Sequence, residues 1–403
     1  MVPRIRHAVV RNYKSIGQVS VGLEPFTAIV GPNGAGKSNF VDSLAFVQES
    51  LAESIELAFK NRGGIGAVRR RSAGHPTHIG MRLSLDLAGG LAAEYAFEIA
   101  AKPTERFTIA WERCVVQRFM QAVAQFEVRN GKFTKPIAGI RPRVSADRLA
   151  LFAASATEEF RPVYDFLTSM RFYSVVPVRL RELQEPDSGL FLKRDGSNAA
   201  AVLKRLMDDG DGGERYERLC RLLSRIVSGL RRVEYRSVGQ KDTLQFKQDV
   251  GLKHPWTFDA LSMSDGTLRV LGLLLAVYQP GHPSVVAIEE PEATVHPAIT
   301  ELVVQVLLDA ARDRQVLVTT HSPDILDYKG ISESQVRIAT TEQNRTLLCP
   351  LAASSREAIQ ARLYTPGELL RSDELAPDVP AALKEAEQAD LFGRTASGAQ
   401  EAV

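Results

Sequence analysis

The stretch Thr27-Ala28-Ile29-Val30-Gly31-Pro32-Asn33-Gly34-Ala35-Gly36-Lys37-Ser38 decides how this chain is read. Its first four residues form a short apolar run of the kind that makes a buried parallel strand. The next eight fit the pattern G-x-x-x-x-G-K-[ST]. Glycines let backbone N–H groups close around phosphates, and a following helix points its positive end at them. Phe40, Leu44, Val47 and Leu51 recur at helical spacing, so a helix does follow. A strand, a glycine turn and a helix open an α/β unit. The residues Gly31, Pro32, Asn33, Gly34, Ala35, Gly36, Lys37, Ser38 and Asn39 are therefore candidate nucleotide-binding positions. Lys37 is expected on the β- and γ-phosphates and the Ser38 hydroxyl on Mg²⁺.

Working outward, residues 77–135 alternate. Met81, Leu83, Leu85 and Leu87 interleave with Arg82, Ser84 and Asp86, and Tyr95, Phe97 and Ile99 repeat the pattern after Gly89-Gly90. Asn130-Gly131 is a hairpin signal, so an antiparallel meander is expected. Residues 145–235 turn to helical periodicity, clearest over Ala199–Met207 and Tyr216–Leu230. From Leu261 the α/β pattern returns. Val285–Ile288 and Val316–Thr319 are buried strands, and Ile299, Leu302, Val303, Val306, Leu307 and Ala310 line one helix face. The expected organisation is an N-terminal lobe over 1–144, a helical insertion or lid over 145–235, a C-terminal lobe over 236–365 and a tail over 366–403. Most of that tail is expected to be disordered or to dock a partner.

Three further elements carry chemistry. Val285–Ile288 ends in Glu289-Glu290. Two carboxylates at the end of a buried strand call for a cation or a wet site. Glu289 is assigned to the Mg²⁺ shell and Glu290 to general-base activation of a water. Ser264-Asp265-Gly266-Thr267 opens the apolar helix Leu268–Val277; it reads as an ordinary helix cap or as a helix N-terminus offered to a nucleotide. His321, in Thr319-Thr320-His321-Ser322-Pro323, ends another buried strand and is a candidate for the γ-phosphate or the attacking water. The candidate catalytic set is Lys37, Glu290 and His321.

The order of phosphate loop, serine-glycine signature, acidic strand end and strand-end histidine resembles the ATP-binding-cassette ATPase heads of the RecF, SMC and OLD-nuclease type. Arg11-Asn12-Tyr13-Lys14-Ser15-Ile16 is similar to the segment that begins those heads, and Ile288-Glu289-Glu290-Pro291-Glu292 with His296-Pro297 is similar to the OLD-like branch. The resemblance implies an α/β head with a central, mostly parallel sheet, an antiparallel β meander and an inserted helical lobe. It implies ATP and Mg²⁺ as cofactors and a homodimer that sandwiches two ATPs. Ser264 and Gly266 would then contact the nucleotide of the other copy, Pro291 to His296 would lie in the dimer contact, and His321 would be the switch histidine. The chain departs from the common pattern by carrying Glu289 where many members have Asp.

Charge and composition bound the partners. In 403 residues, Lys and Arg number 50 and Asp and Glu 48, for a net charge of +2. Apolar residues at 44% and charged residues at 24% exclude a collagen-like or wholly disordered chain. Two stretches lack acids: Leu57–Leu85, with Lys60, Arg62, Arg69, Arg70, Arg71 and Arg82, and Val128–Ala146, with Arg129, Lys132, Lys135, Arg141 and Arg143. Both can neutralise phosphates, and DNA is an expected partner. Three scattered cysteines, an N-terminus with no apolar run and no spanning segment give the expectation of a cytoplasmic chain with no membrane partner. Two roles compete: a switch in anti-phage defence with a separately encoded nuclease, and RecF-like DNA maintenance. A nucleotide-dependent scaffold with little turnover is a third. Leu363–Leu370 is a candidate docking segment for the partner.

Overall fold

The computed structural model describes residues 2–71, 78–102, 106–138, 143, 147–208, 212–251, 254–293 and 296–392. The chain packs as two units: 1–170 with 331–403, and 171–330. This division differs from the lobes expected from the sequence pattern. The first unit is discontinuous, and the second takes in both the later helices of the expected insertion and the acidic strand end.

In the first unit the chain enters on a hairpin, Arg4–Tyr13 against Ile16–Gly22, and continues to the strand Phe26–Val30, whose five side chains are all buried. The meander adds to the hairpin's far side as His78–Asp86, Leu91–Ala101, Phe107–Arg118, Gln121–Arg129 and Lys132–Lys135, every pair antiparallel. Asn130 and Gly131 both take the left-handed conformation that the hairpin signal requires. On the near side the returning chain supplies Val336–Glu342, parallel to Phe26–Val30, and Arg345–Cys349, which lies beside Ile16–Gly22. The helix Lys37–Ala52 buries Phe40, Val41, Leu44, Phe46, Val47 and Leu51. An aromatic chain runs from it: Tyr13 to Phe46 (5.8 Å), Phe46 to Phe59 (4.9 Å) and Phe59 to Phe107 (5.3 Å).

The tail is ordered through 392, contrary to the expectation of disorder. Pro366–Arg371 begins with a complete capping box between Thr365 and Glu368. Val379–Gln388 packs on Ile16–Gly22 and Arg345–Cys349. Phe392 stacks flat on Trp111 at 3.7 Å, and Leu391 fills the space a side chain at Gly80 would need. Residues 393–403 lie outside the described residues.

In the second unit Arg171–Tyr173, Val285–Glu289 and Gln315–Thr320 form a parallel sheet with Val285–Glu289 in the middle. The helices Asp265–Tyr278 and Pro297–Ala310 flank these strands in sequence, as their apolar periodicity predicts. Ala199–Asp208 and Gly212–Ile226 are the expected long helices, although the second stops before Leu230, which starts a strand. A small antiparallel sheet of Leu230–Val238, Lys241–Gln248 and Trp256–Asp259 completes the unit. Among the described residues, no helix is long and apolar enough to cross a membrane.

Candidate functional site

The phosphate loop belongs to the first unit. Gly36 N-caps the helix Lys37–Ala52 at φ 95°, and no side chain caps that end. Gly36 brings no side chain to that end, and the helix points its positive pole at the loop, the arrangement that suits an anion. A Cβ on Gly36 would lie 2.0 Å from Thr346 Oγ1, and one on Gly31 would lie 2.2 Å from the Ala339 carbonyl oxygen. Both positions thus admit glycine alone, because the returning strands press on the loop. Pro32, Asn33, Gly34 and Ser38 are exposed. Lys37 is 6% exposed, and its Nζ donates to the carbonyl oxygens of Gly31 (2.6 Å) and Pro32 (3.0 Å). The ammonium is held over the loop that it would serve.

Asn39, read above as a nucleotide contact, donates through Nδ2 to Ser15 Oγ at 2.7 Å. Ser15 is a junction: its Oγ meets Thr346 Oγ1 at 2.7 Å, and its carbonyl accepts from the Thr346 N–H (3.1 Å) and from Arg70 (2.7 Å). The segment Arg11–Ile16 thereby props the loop from behind. One turn down the helix, Asp42 accepts from Tyr13 Oη (2.7 Å) and pairs with Lys14 (2.6 Å) and Arg62 (3.0 Å). Burial pushes the Asp42 carboxyl up, but the Arg62 charge and the hydrogen bonds from Lys14, Tyr13 and Arg62 hold it below the ordinary carboxylate value.

These contacts correct the reading of the basic stretches. Arg62 is spent on Asp42 and Glu49, Arg70 is buried against Ser15, and Arg82 pairs with Glu94. Arg129 pairs with Glu127 and lies 3.9 Å over the Trp111 ring. The exposed basic side chains of the two stretches include Lys60, Arg71, Lys132, Lys135 and Arg143. Arg141 lies outside the described residues.

The remaining candidates belong to the second unit. Glu289 and Thr319 are register partners at the ends of adjacent parallel strands, and the Glu290 N–H donates to the Thr319 carbonyl at 2.9 Å. Glu290 sits at φ 46°, a left-handed conformation unfavourable for a residue with a Cβ. That turn brings its Oε1 to 3.4 Å from His321 Nδ1. The structure thus brings Glu290 and His321 together, with both side chains part-exposed. Glu289 Oε1 accepts from Arg194 at 2.7 Å, a partner that nothing in the Gly-flanked segment around Arg194 announces. Beneath them Thr320 Oγ1 donates to Glu292 Oε1 at 2.5 Å.

Ser264 is exposed and caps Asp265–Tyr278, accepting from the Thr267 N–H at 3.2 Å. The ordinary-cap reading is therefore realised, and the cap faces outward with Gly266 part-exposed beside it. Asp265 is paired with Arg181 at 2.5 Å. Arg269, one turn along, donates to the carbonyl oxygens of Val175 (3.0 Å) and Glu290 (3.3 Å), tying the signature helix to the acidic strand end. Burial lowers its pKa, and Glu290 and Glu292 oppose that. Of the loop Pro291–His296, Thr294 and Val295 lie outside the described residues.

The comparisons with known proteins agree with this architecture. The chain is similar in fold to a crystal structure of an Smc head bound to the C-winged helix domain of ScpA, with a TM-score of 0.54 and 14% identity, covering 88% of this chain and 99% of that one. It is similarly close to an Smc head with an extended coiled coil bound to the C-terminal domain of ScpA from Pyrococcus furiosus, with a TM-score of 0.53 and 11% identity, covering 90% and 100% of the two chains. Over 57 residues it is 49% identical to Structural maintenance of chromosomes protein 4 of Caenorhabditis elegans, a match that covers 13% of this chain and only 4% of that protein. The fold is that of an ABC-type ATPase head of the SMC and RecF-like class. Residues 26–114 and 167–327, over half of the chain, match one family from the first strand of the phosphate loop to beyond the strand-end histidine, and the chain belongs to that family, described as "AAA domain, putative AbiEii toxin, Type IV TA system".

Proposed function

We propose that this ATPase-class head binds ATP with Mg²⁺, hydrolyses it, and uses the cycle to open and close a homodimer. The observation that carries the reading is the strained Glu290 held against His321. A left-handed glutamate costs about 1 kcal/mol or more, and such strain collects where geometry serves chemistry. Lys37 and the N–H groups of the uncapped helix bind the phosphates. Ser38 would hold Mg²⁺, whose charge offsets that of the β- and γ-phosphates. Ser38 fits that role as an exposed hydroxyl-bearing residue in the first turn of the helix. Glu289 fits it less simply, since Arg194 already occupies one of its oxygens. Glu290 takes the proton of the attacking water, and His321 orients Glu290 or the γ-phosphate. Ser264 and Gly266 reach the nucleotide of the second copy.

At the level of biology we propose a DNA-linked switch in anti-phage defence that works with a separately encoded nuclease. Support comes from the Ile288–Glu292 phrase and the family's toxin–antitoxin description. That the neighbouring Smc heads are bound to ScpA supports a protein partner here also. RecF-like maintenance of DNA is the alternative. The Arg194–Glu289 pair favours one further reading, a scaffold that binds ATP and turns it over slowly.

Steady-state ATP hydrolysis with and without duplex DNA tests the proposal. Turnover that rises with DNA, and falls at least about a hundredfold in Glu290→Gln, is expected. The same variant is expected to elute as an ATP-dependent dimer by size exclusion with light scattering. Turnover absent under every condition, with ATP still bound, would move the chain to the scaffold reading.

A further inference from the structure

The outermost strands of the meander leave a gap. Lys132–Lys135 covers the last strand but one, Gln121–Arg129, only through Glu127, Val128 and Arg129. Pro136 ends the cover, since it has no N–H to continue a ladder. The other half of Gln121–Arg129 is paired on its inner side, Gln121–Gln125 facing Val115–Arg118. On its outer side no strand among the described residues is paired with it. The exposed segment reads Gln-Ala-Val-Ala-Gln, without charge or proline, although natural edges are usually blunted by one or the other.

A cleft of about 260 Å³ lies along this edge, lined by residues 122–125, by residues 136–138 that follow the outer strand, and by Glu159 and Phe160. Ile137 and Phe160 are buried and give it an apolar floor. At its end the hairpin tip holds Phe119 and Met120, 84% and 92% exposed. Both are left-handed, with φ 49° and 67°, where glycine or asparagine would relieve strain. Exposed apolar residues held in an unfavourable turn beside a strand edge that no described strand pairs mark a contact surface. Two exposed cations flank the segment, Arg118 in register with Gln121 and Lys135 with its Nζ 3.5 Å from Gln125 Oε1, and the one charged lining residue is Glu159.

We propose that this edge binds an extended segment of a partner protein by strand addition. The segment continues the outer strand past Pro136 along Gln121–Gln125. Small or branched apolar side chains enter the cleft at every second position, and acidic residues meet the two flanking cations. The surface does not depend on the ATPase reading.

The test is selection of a displayed library of random ten-residue peptides on the immobilised full chain. Enriched peptides are expected to alternate apolar residues and carry acids. Their affinity is expected to fall at least tenfold in Val123→Asp and in Phe119→Asp, and the bound chain to gain hydrogen-exchange protection over 121–125. Unchanged thermal midpoints confirm that these exposed substitutions leave the fold intact. No enrichment, or enriched peptides indifferent to both variants, overturns the proposal. A concentration-dependent dimer of the free chain that Val123→Asp dissolves would overturn it too, by assigning the edge to a second copy.

Discussion

Glu290 and Arg70 show how differently two charged residues of similar sequence prominence are used. Glu290 holds a conformation that glycine would adopt freely. Glu290→Gly is therefore expected to stabilise the chain by about 1 kcal/mol while abolishing turnover, checked by urea denaturation beside the hydrolysis assay. Equal or lower stability would show that the turn is unstrained. Arg70 sits in an Arg-Arg-Arg run that invites a phosphate-binding reading, yet its guanidinium donates to the Ser15 carbonyl behind the phosphate loop. Arg70→Ala is expected to lose about 2 kcal/mol of stability, the range for a hydrogen bond to a charged group. Arg71→Ala, which removes an exposed side chain, is expected to change stability by less than about 0.5 kcal/mol. Equal effects would refute the distinction. Nothing in the local sequence separates the two arginines, because what buries Arg70 arrives from Ser15, 55 positions earlier.

Among elements, the short helix Ala150–Ala154 is anchored by a buried carboxylate on a distant strand. Glu112 accepts from the N–H groups of Ala150 (2.5 Å) and Leu151 (2.9 Å) and from Tyr95 Oη (3.0 Å). Burial outweighs these bonds and raises its pKa from 4.5 to about 7. The folded state therefore holds a proton that the unfolded chain has released between those values, so this group's contribution to stability falls as pH rises from about 4.5 to 7. Relative to Glu112→Gln, the wild type is expected to lose on the order of 3 kcal/mol across that window, read by urea denaturation at pH 4.5 and 8. A difference that does not vary with pH would sink this account. The tail teaches a related point. Phe392→Ala is expected to cost about 3 kcal/mol and to shift Trp111 fluorescence to the red, since it removes a ring stacked at 3.7 Å. An unmoved spectrum would mean that the stack is absent in solution. Thr365-Pro366-Gly367-Glu368 carries the local signal of a capped helix start, which the expectation of a disordered or docking tail left unused. The Phe119-Met120 turn was not legible, because neither residue type signals a left-handed turn.

For the whole molecule, the phosphate loop, the meander and the buried strands could be read directly because their signals are local: glycine spacing, alternation and apolar runs. The division into units could not. It depends on Val336–Glu342 returning to pair with Phe26–Val30, a contact that no window of sequence contains. The candidate residues were legible as types at strand ends and turns. Their partners were not, since Arg194 and Arg269 meet Glu289 and Glu290 from 95 and 21 positions away. The discontinuity of the first unit also orders events during synthesis. At roughly 5–20 residues per second, about 300 residues and some 15–60 s separate the emergence of Val30 from that of Val336. Throughout that interval the phosphate-loop strand lacks the neighbour it pairs with at Ala28, Ile29 and Val30, and the contiguous second unit emerges complete before it. The nascent chain must therefore carry its glycine loop without the strands that press on Gly31 and Gly36 through most of translation, so that the loop takes its final shape late.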